Sequence, residues 1–184
     1  MLGGIWILWD EDNIKIHAIE MQKQYIHCEV EGVGARKWMF TAIYASPRER
    51  ERKDLWENLK EIAKRITRPW MLAGDYNDIR DSDEQTGGGQ ENYAKWRRFS
   101  ENIEECLLLE VSTEGPKYTW KGPVIGHARR LYKKLDRVLC HADWRNIFCE
   151  AQVQIGPRLQ SNHHPLVIHI THPTMQQKCQ ALSL

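Results

Sequence analysis

The sequence predicts an α+β fold of packed layers rather than a doubly wound parallel sheet. Three observations carry this. Short β-type segments dominate the chain, only two stretches show apolar residues at helical spacing, and short polar turns join consecutive strands as hairpins, so pairing is mostly antiparallel.

Taken in order, Ile5 to Trp9, Ile14 to Ile19, Tyr25 to Glu31 and Trp38 to Tyr44 read as strands of a meander. Asp-Glu-Asp-Asn, Gln-Lys-Gln and Gly-Val-Gly-Ala punctuate them. Ser46-Pro47-Arg48-Glu49 offers a capping box with proline at the first helical position. Leu55, Leu59, Ile62 and Ile66 then form an apolar stripe, and the helix is expected to end near Arg68-Pro69. Trp70 to Ala73 is a buried strand that delivers Gly74-Asp75-Tyr76-Asn77 at its C-terminal end. Thr86-Gly87-Gly88-Gly89-Gln90 reads as a mobile loop, lacking the Lys-Ser/Thr of a phosphate cradle. A second helix places Trp96, Phe99, Ile103, Cys106 and Leu107 on one face. Tyr118 to Trp120 and Leu135 to Cys140 are strands flanking a basic connection, and Pro165 to Ile170 is the last core strand.

The 184 residues suit one domain, residues 1–171, followed by a polar tail, residues 172–184. Hydrophobic residues at 41% and charged residues at 28% argue against wholesale disorder. No apolar run reaches the length of a spanning helix and no signal peptide is recognisable, so no membrane partner is expected. The cysteines, Cys28, Cys106, Cys140, Cys149 and Cys179, are five, scattered and never in a C-x-x-C spacing. This favours a reduced, intracellular setting, nuclear or cytoplasmic rather than secreted. A net charge of +1 gives no global pull on nucleic acid, so such binding must come from a local patch.

Three segments set polar groups beside apolar strands: Gly74-Asp75-Tyr76-Asn77, Leu135-Asp136-Arg137 and Ser161-Asn162-His163-His164-Pro165. Asp75 and Asn77, two apart on extended backbone, point to one side and can hold a water or a metal between them. An acid beside an amide suits a base and its orienter. Each segment also has a plain reading: a turn after a strand for Asp75 and Asn77, a hairpin residue for Asp136, and a loop pair or a partial zinc site for His163 and His164.

Together and in this order, Tyr44-Ala45-Ser46-Pro47, Leu55-Trp56, Pro69 to Asn77, Tyr118-Thr119-Trp120, Leu135-Asp136-Arg137-Val138-Leu139 and Ser161 to Leu166 resemble the endonuclease domain of non-LTR retrotransposons, especially plant ones. Gly3 to Trp9 resembles an early strand of that family, so the likeness runs from Gly3 to about Ile170. It implies a two-sheet β-sandwich flanked by helices, shared with deoxyribonuclease I, and Mg²⁺-dependent (or Mn²⁺-dependent) hydrolysis of DNA phosphodiester bonds. In that scheme Asp75 polarises the attacking water and Asn77 positions it or the phosphate. His163 sits against a phosphate oxygen with Asp136 fixing its ring, and Tyr44 donates a hydrogen bond beside the phosphate.

Two departures shape the expectation. Family members begin with a strand carrying an Asn, a helix, and a strand ending in a metal-binding Glu, and the match here begins after them, so the fold is expected to lack that first strand-helix-strand and to leave an open sheet edge beside Leu166, Val167 and Ile168, prone to self-association. Asn162 stands where the family has a metal-assisting Asp, and an amide is a poorer Mg²⁺ ligand than a carboxylate. Tyr76 replaces the usual Phe. The favoured reading is a truncated endonuclease domain with impaired cleavage, with an active endonuclease or a lipid or inositol phosphatase of the same fold as alternatives. Weak, non-specific DNA contact is expected from the basic segment through Arg129, Arg130, Lys133, Lys134 and Arg137, which could equally be a solvated hairpin.

Overall fold

A six-stranded sheet organises the chain, described by a computed structural model over residues 4–32, 36–87, 92–124 and 129–170. Its strands run in the order β1 (Ile14–Met21), β2 (Tyr25–Gly32), β3 (Lys37–Tyr44), β4 (Trp70–Asp75), β10 (Asp136–Cys140) and β6 (Leu109–Glu110). All neighbours are antiparallel except β3 and β4, which run parallel because α1 (Glu49–Arg65) crosses between them. A second sheet is ordered β12 (Leu166–His169), β11 (Gln152–Ile155), β7 (Thr113–Glu114), and a third, small one β5 (Gln85–Thr86), β9 (Tyr132–Lys133), β8 (Trp120–Lys121). The remaining helices are α2 (Tyr93–Glu105) and α3 (Ala142–Ile147), with a 3-10 turn at Ser82–Glu84.

Alternation along the strands divides the core into two layers. On one face Met39 and Ile43 of β3 and Trp70 and Leu72 of β4 meet Leu55, Trp56, Leu59 and Ile62 of α1 and Phe99 and Ile103 of α2. On the other, Trp38, Met71, Val138 and Cys140 meet Trp144, Phe148 and Val153, with Leu166 and Ile168 of β12 packed alongside. Each such large side chain contributes about 1.5–3 kcal/mol on burial. The α+β sandwich with flanking helices is therefore present.

Several details differ from the sequence reading. Ile5 to Trp9 forms no strand; Trp6 and Leu8 are 85% and 88% exposed, and no neighbouring strand in the described residues pairs with them. The capping box is displaced: α1 starts at Glu49 with Arg48 as its cap residue, Pro47 lies outside, and Ser46 accepts from the Arg48 N–H at 3.2 Å while donating to Glu51 at 2.7 Å. That helix closes at Arg65, ahead of Arg68-Pro69. Leu107 leaves the apolar face of α2, because its left-handed backbone (φ 54°) ends the helix and turns Leu108 inward instead. Cys28, Cys106 and Cys140 are free and buried. β12 has one neighbour strand and Val167 is 42% exposed, so the edge expected there exists among the described residues. None of the described helices is long and apolar enough to cross a membrane. The glycine loop from Gly88 to Gln90, His127, Ala128 and the tail 172–184 lie outside the described residues.

One glycine is indispensable. Gly74 has φ +143°, and a Cβ there would lie 2.0 Å from the Ile43 carbonyl oxygen of the neighbouring strand. Gly74→Ala is expected to lower stability by at least ~3 kcal/mol, read from the urea midpoint, because backbone conformation and contact both oppose it.

Candidate active site

Strand register gathers the polar groups. The parallel β3–β4 ladder sets Tyr44 opposite Asp75, and the antiparallel β4–β10 ladder sets Asp136 opposite the same Asp75. Register partners share a face of the sheet. The row Tyr44, Asp75, Asp136 thus continues the face of Trp38, Met71 and Val138, at the end of the cleft between the two main sheets. The loop between β11 and β12 brings His163 across, held by a bridge to Trp120.

Asp75 is nine-tenths buried and tightly held. Asn77 donates its backbone N–H to Asp75 Oδ1 and its side-chain amide to Asp75 Oδ2, each at 2.8 Å, and the same amide donates to the Ala45 carbonyl at 2.8 Å. Its backbone has φ 48°, which asparagine tolerates because its short side chain bonds locally. Across the cleft, His163 Nδ1 is 2.9 Å from Asp136 Oδ2, and its Nε2 lies 4.0 Å from Asp75 Oδ2. The two histidines separate: His164 turns inward, its Nδ1 2.6 Å from the Gly156 carbonyl. A residue the sequence reading placed only in a strand, Thr119, is fully buried and sets Asp136. Its hydroxyl accepts the N–H groups of Leu135 and Asp136, both at 2.9 Å, and its carbonyl accepts that of His164 at 2.8 Å.

The electrostatics follow from this crowding. Burial, and next the facing Asp136 charge, push the Asp75 carboxyl up to about 6, against the Asn77 N–H that favours its anion. The hydrogen bond to Asp136 raises His163 above its ordinary value, against the effect of burial. Asp75, Asp136 and His163 each offer a ligand atom, all within 4.8 Å of one another, the one such cluster among the described residues. A carboxylate held by an amide, an imidazole oriented by a carboxylate and two facing acids can supply a general base, a proton donor and ligands for a cation.

Other expected residues are placed differently. Tyr44 is 43% exposed at the open end of the row. Asn162 is exposed, its carbonyl accepting the Lys121 N–H at 2.8 Å. Arg137 is a correction: its side chain is 0% exposed and pairs with Glu84 at 2.6 Å and Glu110 at 3.0 Å, over the Phe99 ring. Alternation along β10 sends Arg137 to the helix face because Asp136 occupies the site face, so it cannot contact DNA. Lys134 is held by Glu110 at 2.6 Å, and Arg130 reaches the Gly122 carbonyl at 3.2 Å, while Arg129 is exposed.

The model of the endonuclease/exonuclease/phosphatase family matches residues 8–163. The chain belongs to this family. Among solved structures, it is similar to the endonuclease domain of TRAS1, a telomere-specific non-LTR retrotransposon, with TM-score 0.68 at 15% identity, covering 89% of this chain and 71% of that one. The human Nocturnin catalytic domain follows with 0.50 at 17% identity, covering 88% and 62%, and an endonuclease/exonuclease/phosphatase family protein from Leptotrichia buccalis with 0.51 at 18%, covering 80% and 53%. These likenesses share the fold, and the chain spans between half and two thirds of the length of the latter two. No curated protein matches it.

Two outcomes test this geometry. Arg137→Ala is expected to cost about 3–5 kcal/mol in a urea melt, because it removes the closest cation to buried Glu84 and leaves Glu110 with Lys134 and Arg80 alone. Asp75→Asn is expected to stabilise the protein at pH 8 by about 1–3 kcal/mol. The sign follows from the raised carboxyl: ionising Asp75 costs the folded state from its ordinary value of 3.8 upward and fully above about 6. The gain is therefore absent in melts at pH 4, where the wild-type carboxyl is uncharged.

Proposed function

We propose that the chain is a metal-dependent phosphodiesterase domain of the DNA-nicking, retrotransposon type, with weak cation affinity and correspondingly slow cleavage. The observation that carries this reading is the opposition of the Asp75–Asn77 pair and the Asp136–His163 pair across one cleft. The retrotransposon endonuclease among the solved structures it resembles supports DNA as the substrate.

A phosphodiester is anionic and repels hydroxide, so the site must supply both a base and positive charge. Asp75, ionised, accepts the proton of the attacking water, and Asn77 fixes its carboxylate through two hydrogen bonds. His163 in its protonated form, stabilised through Nδ1 by Asp136, turns Nε2–H toward a phosphoryl oxygen. Tyr44 sits beside that position in the row. A Mg²⁺ or Mn²⁺ ion would be held by the carboxylate oxygens of Asp75 and Asp136, with His163 beside it as proton donor rather than ligand, and would supply Lewis acidity toward the phosphoryl oxygens. Two facing carboxylates suit a hard cation, but Mg²⁺ favours six oxygen ligands, one Asp136 oxygen is engaged by His163, and the adjacent Asn162 offers an amide where the resembling family has Asp.

With supercoiled plasmid, nicking is expected to rise with Mg²⁺ into the millimolar range and to stay roughly 100-fold or more below a family member with a fuller carboxylate set. Asp75→Ala and His163→Ala should each reduce the rate by about 10²-fold or more. Without a cation Asp75 takes up a proton near 6, so with a cation competing for the same carboxylate the rate should fall only as pH drops below that, and the fall should move lower as Mg²⁺ is raised. Absence of nicking with any divalent cation, or nicking that survives Asp75→Ala, overturns this reading.

A further inference from the structure

The basic connection ahead of Asp136 does not act as one patch. Arg137 and Lys134 are tied to Glu84 and Glu110, yet Lys133, just ahead of them, follows another course. In the small sheet Lys133 is the register partner of Trp120, and Trp120 in turn bridges His163. Directly opposed residues share a face, so the side chains of Lys133, Trp120 and His163 form one row. The Lys133 backbone therefore lies two strand spacings, about 10 Å, from that of His163, with its side chain on the same side.

A second line converges on the same place. Arg52 of α1 is buried, donating to the Ser46 carbonyl at 2.7 Å and to Asp78 Oδ2 at 3.0 Å, and Lys95 of α2 lies 3.5 Å from Asp78 Oδ1. Lys133 is within electrostatic reach of Lys95, Asp78 and Arg52 together, and no carboxylate among the described residues forms an ion pair with it. Arg52 and Lys95 thus flank one carboxylate, which Arg52 and the Ile79 N–H already occupy, and Lys133 adds a third positive charge within electrostatic reach. The excess positive charge sits in partly desolvated surroundings, where it attracts anions more strongly than exposed charge does. Farther along the α1–α2 cleft the charges match, Lys60 with Glu105 and Arg98 with Glu49, which sets the Asp78 end apart. That end is also one residue from Asn77, whose amide fixes Asp75.

We propose that Lys133 and Lys95, backed by the buried Arg52–Asp78 pair, form an anion subsite that holds a backbone phosphate of the nucleic-acid strand flanking the scissile one. This rests on the phosphodiesterase reading for its substrate, though not for its binding chemistry. The subsite makes no base contact, so it fixes the register of the strand without reading its sequence.

The test measures binding of a fluorescently labelled short DNA duplex by anisotropy, without divalent cation, over a series of salt concentrations. Lys133→Gln and Lys95→Gln should each lower the salt slope by about 0.9 and weaken affinity about eightfold at 0.1 M salt. The double variant should lose both contacts, and Lys133→Arg, which keeps the charge, should retain the wild-type slope. Thermal melts show whether each variant is folded, and a loss of affinity restored by Lys133→Arg identifies charge rather than packing as the cause. Wild-type affinity and slope in Lys133→Gln and Lys95→Gln, or no duplex binding by the wild type, overturns the subsite. If binding depends on Lys133 while no plasmid is nicked, the subsite stands and the phosphodiesterase reading falls; nicking with unchanged binding in Lys133→Gln gives the reverse.

Discussion

The close passage of β4 alongside β3 is the constraint on which the site depends. With no side chain on Gly74, the Ile43 carbonyl can approach the β4 backbone, and the ladder continues past it to Tyr44 and Asp75. Beyond that point the Ala45 N–H donates to the Asp75 carbonyl at 2.8 Å, and Asn77 returns its amide to the Ala45 carbonyl at 2.8 Å. Two turns, one leading into α1 and one leaving β4, are thereby closed against each other. A slip of one residue in this register would send Asp75 to the helix face and Arg137's neighbourhood, since side chains alternate. The chemistry of the row is therefore a consequence of backbone pairing before any side chain is considered.

The two faces at this end of the sheet solve the problem of charge in opposite ways. On the helix face Arg137 is paired with Glu84 and Glu110 through its two terminal nitrogens, and Arg52 is paired with Asp78. Burial disfavours such ions individually, and pairing offsets that cost, so the network contributes more to fixing positions than to net stability. Glu84 belongs to the 3-10 turn, Glu110 to β6 and Arg137 to β10, so one guanidinium joins three separate stretches of chain. On the cleft face the acids have no such cation among the described residues. Asp75 and Asp136 face each other with only His163 between, and the result is a carboxyl that releases its proton reluctantly.

Much of this was legible because it is written in local pattern. The strands β2, β3 and β4, the stripe on α1 and the inward row of α2 follow from periodicity, and Asp75, Asn77, Asp136 and His163 stand out as polar groups abutting apolar strands. Alternation along β10 also contained the fate of Arg137, had charge been weighed by face rather than by segment. What local pattern does not hold is pairing over distance. Ile5 to Trp9 has strand composition but no partner strand in the described residues, Thr119 gains its role only when β10 lies beside it, and Glu84 and Glu110 become partners of Arg137 only in three dimensions. Tyr76 shows the same limit: in place of the usual Phe it keeps the ring stacked on Trp56, while its buried hydroxyl finds no hydrogen-bond partner among the described residues.

The unpaired acids give the site its selectivity for state. Two carboxylates in a desolvated corner disfavour each other's charge, and either a proton or a cation relieves the conflict. On the proposed reading a proton on Asp75 would remove the base, whereas a cation would preserve it, so the two ways of relieving the conflict would have opposite consequences for hydrolysis. Asp136 is committed to His163, which makes Asp75 the group whose state is contested. Asn77 tilts that contest toward the anion, because an N–H donated to Asp75 stabilises the ionised carboxyl and cannot satisfy a proton placed on the same oxygen. The amide two residues away thus favours the anionic form of the carboxylate, the form a cation would require, in a place where burial alone would neutralise it.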